Sequence, residues 1–326
     1  MQAILIDAPG DENVMYVGET PAPTLRSTDV RLRVAACGVN RADLLQRQGF
    51  YPPPPGASEI LGLECSGEVI EVGDAVRGWQ VGDRAMALLA GGGYAAEVVV
   101  HAGSVMRVPK GVDLSQAAAL PEVLLTVYLN VFSLADLPAA GWLLVHGGGS
   151  GIGTASIQLA RAAGAHVLVT AGSEEKCKRC LDLGADVAVN YNDGDFVRAV
   201  QDATGGRGVD VVLDSIGAPY LDSNLKSLAP EGRLVLIGLM GGAKAELNLG
   251  ALLTRRLQII GSTLRSRSED DKARLAHSLI QRFGNDLDSG TIRPVVDREL
   301  QLAEAPEAHR IMKASTHFGK ILLRIG

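Results

Sequence analysis

An apolar run, Trp142–His146, breaks into Gly147-Gly148-Gly149-Ser150-Gly151-Ile152-Gly153, after which Ile152, Ala155, Ser156, Leu159, Ala160 and Ala163 recur at helical spacing. A buried strand, a glycine-rich turn and a helix in that order leave few architectures open. Glycines at such a turn let backbone N–H groups approach a pyrophosphate, whose charge is favoured at a helix N-terminus. The strict G-x-G-x-x-G spacing is not met, because Thr154 stands where a sixth-position glycine would. The rhythm around the turn carries more weight than the turn itself. Strands at His166–Ala171, Asp186–Asn190, Val209–Asp214, Gly232–Gly238 and Gln258–Ser262 follow, with helices at Glu174–Leu183, Asp195–Ala203 and Tyr220–Leu228. Six strands alternating with helices predict an α/β fold built on a doubly wound, parallel, six-stranded sheet of the Rossmann kind.

The flanks read differently. Met1–Asp7, Val30–Ala36, Glu68–Val72 and Ala95–Val100 are short β-rich runs separated by Pro9-Gly10, the Pro52–Gly56 run, Gly73-Asp74 and Gly91-Gly92-Gly93. That pattern suggests a small, partly closed β-barrel. After the sixth strand, Ser268-Glu269-Asp270-Asp271 starts a capped helix expected to end at Gly284. A strand at Val295–Arg298, a helix at Ala303–Met312 and a strand at Lys320–Ile325 complete the chain. One domain is therefore expected to sit inside another, with 122–263 interrupting 1–121 and 264–326. Glycine stands at 39, against about 23 from average usage, which fits many tight turns and excludes a helical bundle.

A net charge of −6 with both signs interspersed offers little to nucleic acid or anionic membranes. The four cysteines (Cys37, Cys65, Cys177 and Cys180) are too few and scattered for a disulfide framework. The start lacks the basic region of a signal peptide, and the longest apolar stretches are expected to fall short of a membrane span. A soluble, cytoplasmic protein is expected.

The second strand of the sheet names the cofactor. A sheet preferring NAD ends that strand in an acid that holds the ribose 2′-OH. Here it ends Thr170-Ala171-Gly172-Ser173, with no acid. The Ser173 hydroxyl and the Lys176 ammonium suit a 2′-phosphate instead, and Tyr191, past the next strand, lies at the same sheet end. Glu174 and Glu175 weigh against this, unless they simply open a helix and favour its dipole. NADPH is the expected cofactor. Cys177-Lys178-Arg179-Cys180 has no second pair, and no two of the six histidines stand at helical ligand spacing, so no metal site is expected.

At this point the residues match a known family. Asn40-Arg41-Ala42-Asp43-Leu44-Leu45-Gln46-Arg47-Gln48-Gly49, Pro53-Pro54-Pro55-Gly56-Ala57, Leu61-Gly62-Leu63-Glu64, Thr170-Ala171-Gly172-Ser173, Gly238-Leu239-Met240-Gly241-Gly242, Leu264-Arg265-Ser266-Arg267 and Gly319-Lys320 occur in family order along nearly the whole chain. The chain resembles the zinc-free quinone oxidoreductases (zeta-crystallin-like) of the medium-chain dehydrogenase/reductase superfamily, most of all their stress-inducible, tumour-suppressor-responsive branch. Zinc members carry Cys at the position of Asn40 and His at that of Leu63, and add a four-cysteine lobe.

The resemblance implies a GroES-like domain around the nucleotide domain and a homodimer. It places Asn40 and Tyr51 on the substrate side of the nicotinamide and Thr126 facing it. Ser150, Gly151 and Ile152 would line the pyrophosphate, with Ser173, Lys176 and Tyr191 on the 2′-phosphate. Met240 and Gly241 would lie near the ribose, and Leu264 and Arg265 at the domain crossing. His317 departs from the asparagine common there. Ordinary alternatives stay open: Asn40 as a turn or cap residue, Tyr51 as a loop aromatic, Thr126 as a plain helix residue.

The reaction class follows from the absent metal ligands. Oxidising an alcohol needs a Lewis acid to make an alkoxide. Without one, the acceptor must already be electrophilic, as quinones and activated alkenes are. An NADPH-dependent quinone reductase is expected, with Tyr51 or Asn40 bonding the developing oxyanion. The alternative is a reductase of α,β-unsaturated carbonyls, with Tyr51 as proton donor to the α-carbon.

Overall fold

The computed structural model describes residues 1–325. The chain divides into two compact units, Met1–Leu125 with Arg265–Gly326, and Thr126–Leu264.

The first unit opens with the antiparallel pair β1 (Gln2–Ile6) and β2 (Met15–Glu19). The ten-residue β3 (Asp29–Gly38) follows, then the short helix α1 (Arg41–Arg47), β4 (Glu64–Val72), β5 (Arg84–Leu88), β6 (Glu97–His101) and β7 (Val105–Arg107). Helix α2 (Pro121–Val127) carries the chain across the boundary into a wider turn at Tyr128–Leu134.

The second unit alternates strictly. β8 (Trp142–His146), α3 (Gly151–Ala162), β9 (His166–Ala171), α4 (Glu174–Leu183), β10 (Val187–Asn190), α5 (Phe196–Ala203), β11 (Val209–Asp214), α6 (Leu221–Ser227), β12 (Leu228–Leu236), α7 (Leu249–Thr254) and β13 (Gln258–Gly261) follow one another. The six strands are all parallel, in the order β10-β9-β8-β11-β12-β13. Leu143-Leu144-Val145 and Val211-Val212-Leu213 are buried throughout, because helices cover both faces of a parallel sheet. The predicted doubly wound sheet is what forms.

Helix α8 (Glu269–Asp288), β14 (Val296–Gln301), α9 (Ala305–Ala314) and β15 (Lys320–Arg324) return to the first unit. Its large sheet runs β14-β15-β3-β4-β5-β7. One edge of β3 is divided, pairing with β6 over Asp29–Arg33 and with β15 over Ala36–Gly38. Strand β15 thereby lies beside the start of α1, which matters for the site.

Two expectations are corrected. Helix α8 does not end at Gly284. Leu275, Leu279, Phe283 and Leu287 form one buried stripe at four-residue spacing, and that stripe carries the helix through the glycine. Gln116–Leu134 does reach the length and apolarity of a membrane span, because short helical pieces run on without a break. Of its apolar window, 78% is buried inside the protein, as in a core helix.

Candidate functional site

The second unit shows how the glycine turn is used. Ser150 caps α3, its hydroxyl accepting from the N–H of Gly153 at 3.0 Å, while Gly147 takes φ +78°. A Cβ on Gly153 would run into the carbonyls of Gly147 and Gly148, so this glycine supplies the close helix–turn packing that Thr154 cannot. The N–H groups of Gly151 and Ile152, first in the helix, have no carbonyl within it to meet. They point out of a helix N-terminus at the carboxyl end of the sheet, as an anionic ligand requires. Cys180 lies beneath: a Cβ on Gly148 would stand 3.0 Å from its sulfur. Cys177 and Cys180 are free, buried thiols, and burial pushes Cys180 up to about 12. The C-x-x-C is packing under the turn.

The end of β9 forms a second cradle. Tyr191 lays its hydroxyl across Gly172, 2.5 Å from where a Cβ would stand, so a larger residue there would push the phenol aside. Ser173 caps α4 by accepting from the N–H of Lys176 at 3.2 Å and keeps its own hydrogen to donate. The Ser173 hydroxyl and the Tyr191 phenol thus stand at a strand end whose last residues carry no acid, with Lys176 in the first turn of α4 beside Glu174 and Glu175. That donor set fits a phosphomonoester. Past β12, the N–H groups of Met240 and Gly241 donate to the carbonyls of Ser215 and Ile216 at 3.1 and 2.7 Å, fastening this loop to the one after β11. Met240 is exposed.

A buried network beneath these loops is not among the sequence expectations. His146, ending β8, is 3.0 Å from the Thr170 hydroxyl and 2.6 Å from the Asn224 amide oxygen; Asn224 donates to Asp214 at 3.0 Å. Asp214 accepts in turn from the N–H groups of Ile216 and Gly217. Burial pulls His146 down to about 4, so the neutral ring bridges the end of β8 to β9 and α6, and Asn224 carries the connection on to β11. A histidine closing an apolar strand is the one sign of it in the sequence.

In the first unit the polar centre lies at the start of α1. Asn40 is 7% exposed, and its amide nitrogen donates to Glu64 at 2.9 Å and to the Gly38 carbonyl at 3.4 Å. Its oxygen accepts from Lys320 at 2.6 Å, and Lys320 pairs with Glu64 at 2.6 Å. Glu64 is wholly buried and also accepts from the N–H of Glu122. A Cβ on Gly38 would collide with that carboxylate. Both ends of the Asn40 amide are thus engaged with groups of the same unit.

Asp43 continues the cluster. It accepts from the N–H groups of Asn40 (2.8 Å) and Gly62 (3.1 Å) and from the Tyr94 hydroxyl (3.2 Å). Tyr94 meets His309 at 3.1 Å, and His309 meets Arg47 at 3.1 Å. Burial pushes Asp43 up to about 6 and His309 down to about 3. Sequence motifs contain Glu64 and Lys320 without assigning either a role. Charged residues set against Cys65 and Ile321-Leu322-Leu323 are the legible sign of buried charge.

Arg265 is 5% exposed and spends its fork inside the first unit. It donates to the carbonyls of Ala90 (2.8 Å) and Tyr51 (3.2 Å) and to the Gln46 side chain (2.7 Å), with its guanidinium 5.3 Å from the Tyr51 ring centre. These are the partners of a residue expected beside the cofactor at the domain crossing. Leu264, before it, closes the second unit and is buried. Thr126 opens that unit, 7% exposed, with its carbonyl accepting from Asn130. Burial raises Tyr51, against the pull of Arg265. Among the described residues no three His, Cys, Asp or Glu side chains are grouped to hold a metal ion.

Comparison with known proteins shows the family and the fold. Residues 26–110 match the alcohol dehydrogenase GroES-like domain, and residues 151–281 match the zinc-binding dehydrogenase domain. A quinone oxidoreductase of Rattus norvegicus is 31% identical over 96% of this chain and 94% of its own. The chain belongs to the quinone oxidoreductase family of the medium-chain dehydrogenase/reductase superfamily. Among solved structures, family-like folds span the whole length. An NAD-dependent alcohol dehydrogenase matches with TM-score 0.88 and 32% identity, covering 100% of both chains. The Escherichia coli quinone oxidoreductase complexed with NADPH matches with TM-score 0.87 and 28% identity, again over 100% of both. The CurK enoyl reductase matches with TM-score 0.86 and 26% identity, over 100% of this chain and 99% of that one. This member of the family is an oxidoreductase with the two-part architecture its sequence suggested.

Proposed function

We propose that this chain is an NADPH-dependent reductase that passes hydride to a quinone. The observation that carries the cofactor is the end of β9 at Gly172, which closes without an acid and sets the Ser173 hydroxyl and the Tyr191 phenol together, with Lys176 in the turn that follows. The NADPH complex of the Escherichia coli relative supports the same reading. Ser150, Gly151 and Ile152 would hold the pyrophosphate at the start of α3, with Met240 and Gly241 beside the ribose. Thr126 faces the nicotinamide in this reading. When bound, NADPH supplies the hydride.

The chain's own residues do the rest. Asn40, Lys320 and Glu64 satisfy one another in a closed polar cluster, and an acceptor that is electrophilic on its own, as a quinone is, suits this reading. Tyr51 is the group left to meet it, donating its phenolic O–H to the oxygen that gains charge as hydride arrives. One hydride and one proton convert the quinone to its hydroquinone, and water supplies that proton. Asn40 holds α1 against β4 and β15, fixing the frame from which the Tyr51 loop departs.

The enoyl reductase likeness supports a second reading, reduction of α,β-unsaturated carbonyls. There a proton must reach the α-carbon, and Tyr51 would deliver it. One assay separates the two. NADPH oxidation is expected to run faster with benzoquinones or naphthoquinones than with 2-alkenals, and Tyr51→Phe lowers quinone turnover only modestly. If 2-alkenals outrun every quinone and Tyr51→Phe is inactive, the second reading replaces the first.

A further inference from the structure

Three separated segments meet at one buried side chain. The loop after α1 carries Tyr51; the segment after β5 carries Ala90 and the glycine triplet 91–93; α1 itself contributes Gln46. Arg265 donates to all three, through Nη1, Nε and Nη2 respectively. Gln46 passes the connection on, its amide donating to the Glu59 carbonyl at 2.9 Å. Arg265 is itself held from behind: the buried Lys272 of α8 donates to its carbonyl at 2.7 Å. The guanidinium plane also stands over the Tyr51 ring, 5.3 Å from its centre, within cation–π range.

We propose that Arg265 is the positioning residue for Tyr51, fixing the ring and making its O–H a stronger donor to a developing oxyanion. The inference rests on the reading that Tyr51 meets the acceptor. A planar fork suits the task, because a single rigid group can span three acceptors while stacking on a ring; a lysine ammonium cannot. The charge acts in the same direction as the geometry. Burial and Glu122 raise the Tyr51 phenol, and Arg265 is the group that opposes them. In the carbonyl-reducing direction, an acidic phenol is the better hydrogen-bond donor to a forming oxyanion.

The test is a double-mutant cycle between Arg265→Gln and Tyr51→Phe, assayed with NADPH and both 1,4-naphthoquinone and a 2-alkenal. Arg265→Gln is expected to lower kcat with each acceptor by no more than Tyr51→Phe does, modestly with the quinone and by about tenfold with an acceptor that depends strongly on Tyr51. The dissociation constant of NADPH stays unchanged. In the Tyr51→Phe background the same substitution costs nothing further. A merely structural role would not move the second readout, the ultraviolet titration of Tyr51 isolated by difference from Tyr51→Phe. That transition shifts to higher pH in Arg265→Gln and holds its place in Arg265→Lys. An equal loss from Arg265→Gln in both backgrounds, or a loss expressed in NADPH affinity, overturns the proposal. If Tyr51→Phe alone leaves every turnover number unchanged, the reading of Tyr51 has failed, and the titration still reports whether Arg265 governs the phenol. Should Arg265→Gln not fold, Arg265→Lys carries the cycle: kcat falls beside Tyr51 and is unaltered beside Phe.

Discussion

Single residues here divide by what surrounds them. Ser173 and Lys176 stand at a strand end without an acid, so their effect is selective for the extra phosphate. Lys176→Ala is expected to raise the NADPH KM by about tenfold, the worth of one charge-assisted hydrogen bond, and to leave NADH nearly unchanged. Steady-state kinetics with both cofactors decides it, and equal starting affinities for the two would refute the assignment. Lys320 and Glu64 are both buried, at 4% and 0% side-chain exposure. Lys320→Met strands the Glu64 carboxylate and is expected to cost about 3–5 kcal/mol in denaturant unfolding. Joining it to Glu64→Leu recovers much of that loss, because the uncompensated charge is then gone.

Among secondary-structure elements, titratable side chains act as rivets. His146 ties β8 to β9 and α6, and His309 ties α9 to Tyr94 and to Arg47 of α1. Both rings are held neutral by burial, at about 4 and about 3. Their contribution is complete above the ordinary histidine value of 6.5 and is lost as pH falls through those lower values. Asp43, raised from 3.8 to about 6, acts in the opposite sense: its share is complete below 3.8 and is lost as pH rises through 6. Two protons against one leave stability falling below pH 6, by about 1.4 kcal/mol per pH unit for each uncompensated proton. Thermal melts from pH 7.5 to 4.5 are expected to show this decline. His309→Gln should lower the melting temperature at neutral pH yet flatten the acid slope.

For the whole molecule, the edge of the second unit's sheet sets the expectation. Strand β13 pairs on one side only, with β12, and the adjacent α7 exposes Leu249 and Leu253. An unpaired apolar edge is a pairing hazard unless covered. We propose that a second copy of this chain covers it, edge to edge, giving a homodimer. Light scattering at micromolar concentration should then return twice 34.1 kDa, and Ile260→Lys should return the single mass. A monomer at the outset would remove the proposal.

The parallel sheet is legible in the sequence because its signals are local. Apolar strands of four to six residues, glycine turns and 3.6-residue periodicity all act within a dozen positions, and β8, β9, α4 and β11 fall where that pattern puts them. The missing acid after β9 is equally local. Strands β2, β5 and β7 and helix α1 leave no such mark, since short pieces in a bent sheet draw their stability from neighbours rather than from their own pattern. The polar centre is hidden for a stronger reason. Asn40 and Lys320 are 280 positions apart, and Arg265 and Tyr51 are 214 apart. Cys37 and Cys65, scattered in sequence, face each other across β3 and β4. A buried charge or amide is tolerable only beside a partner, and partners at such separations are chosen by topology. Residue type can therefore nominate Asn40 and Arg265, while the folded chain decides that one braces the frame and the other holds Tyr51.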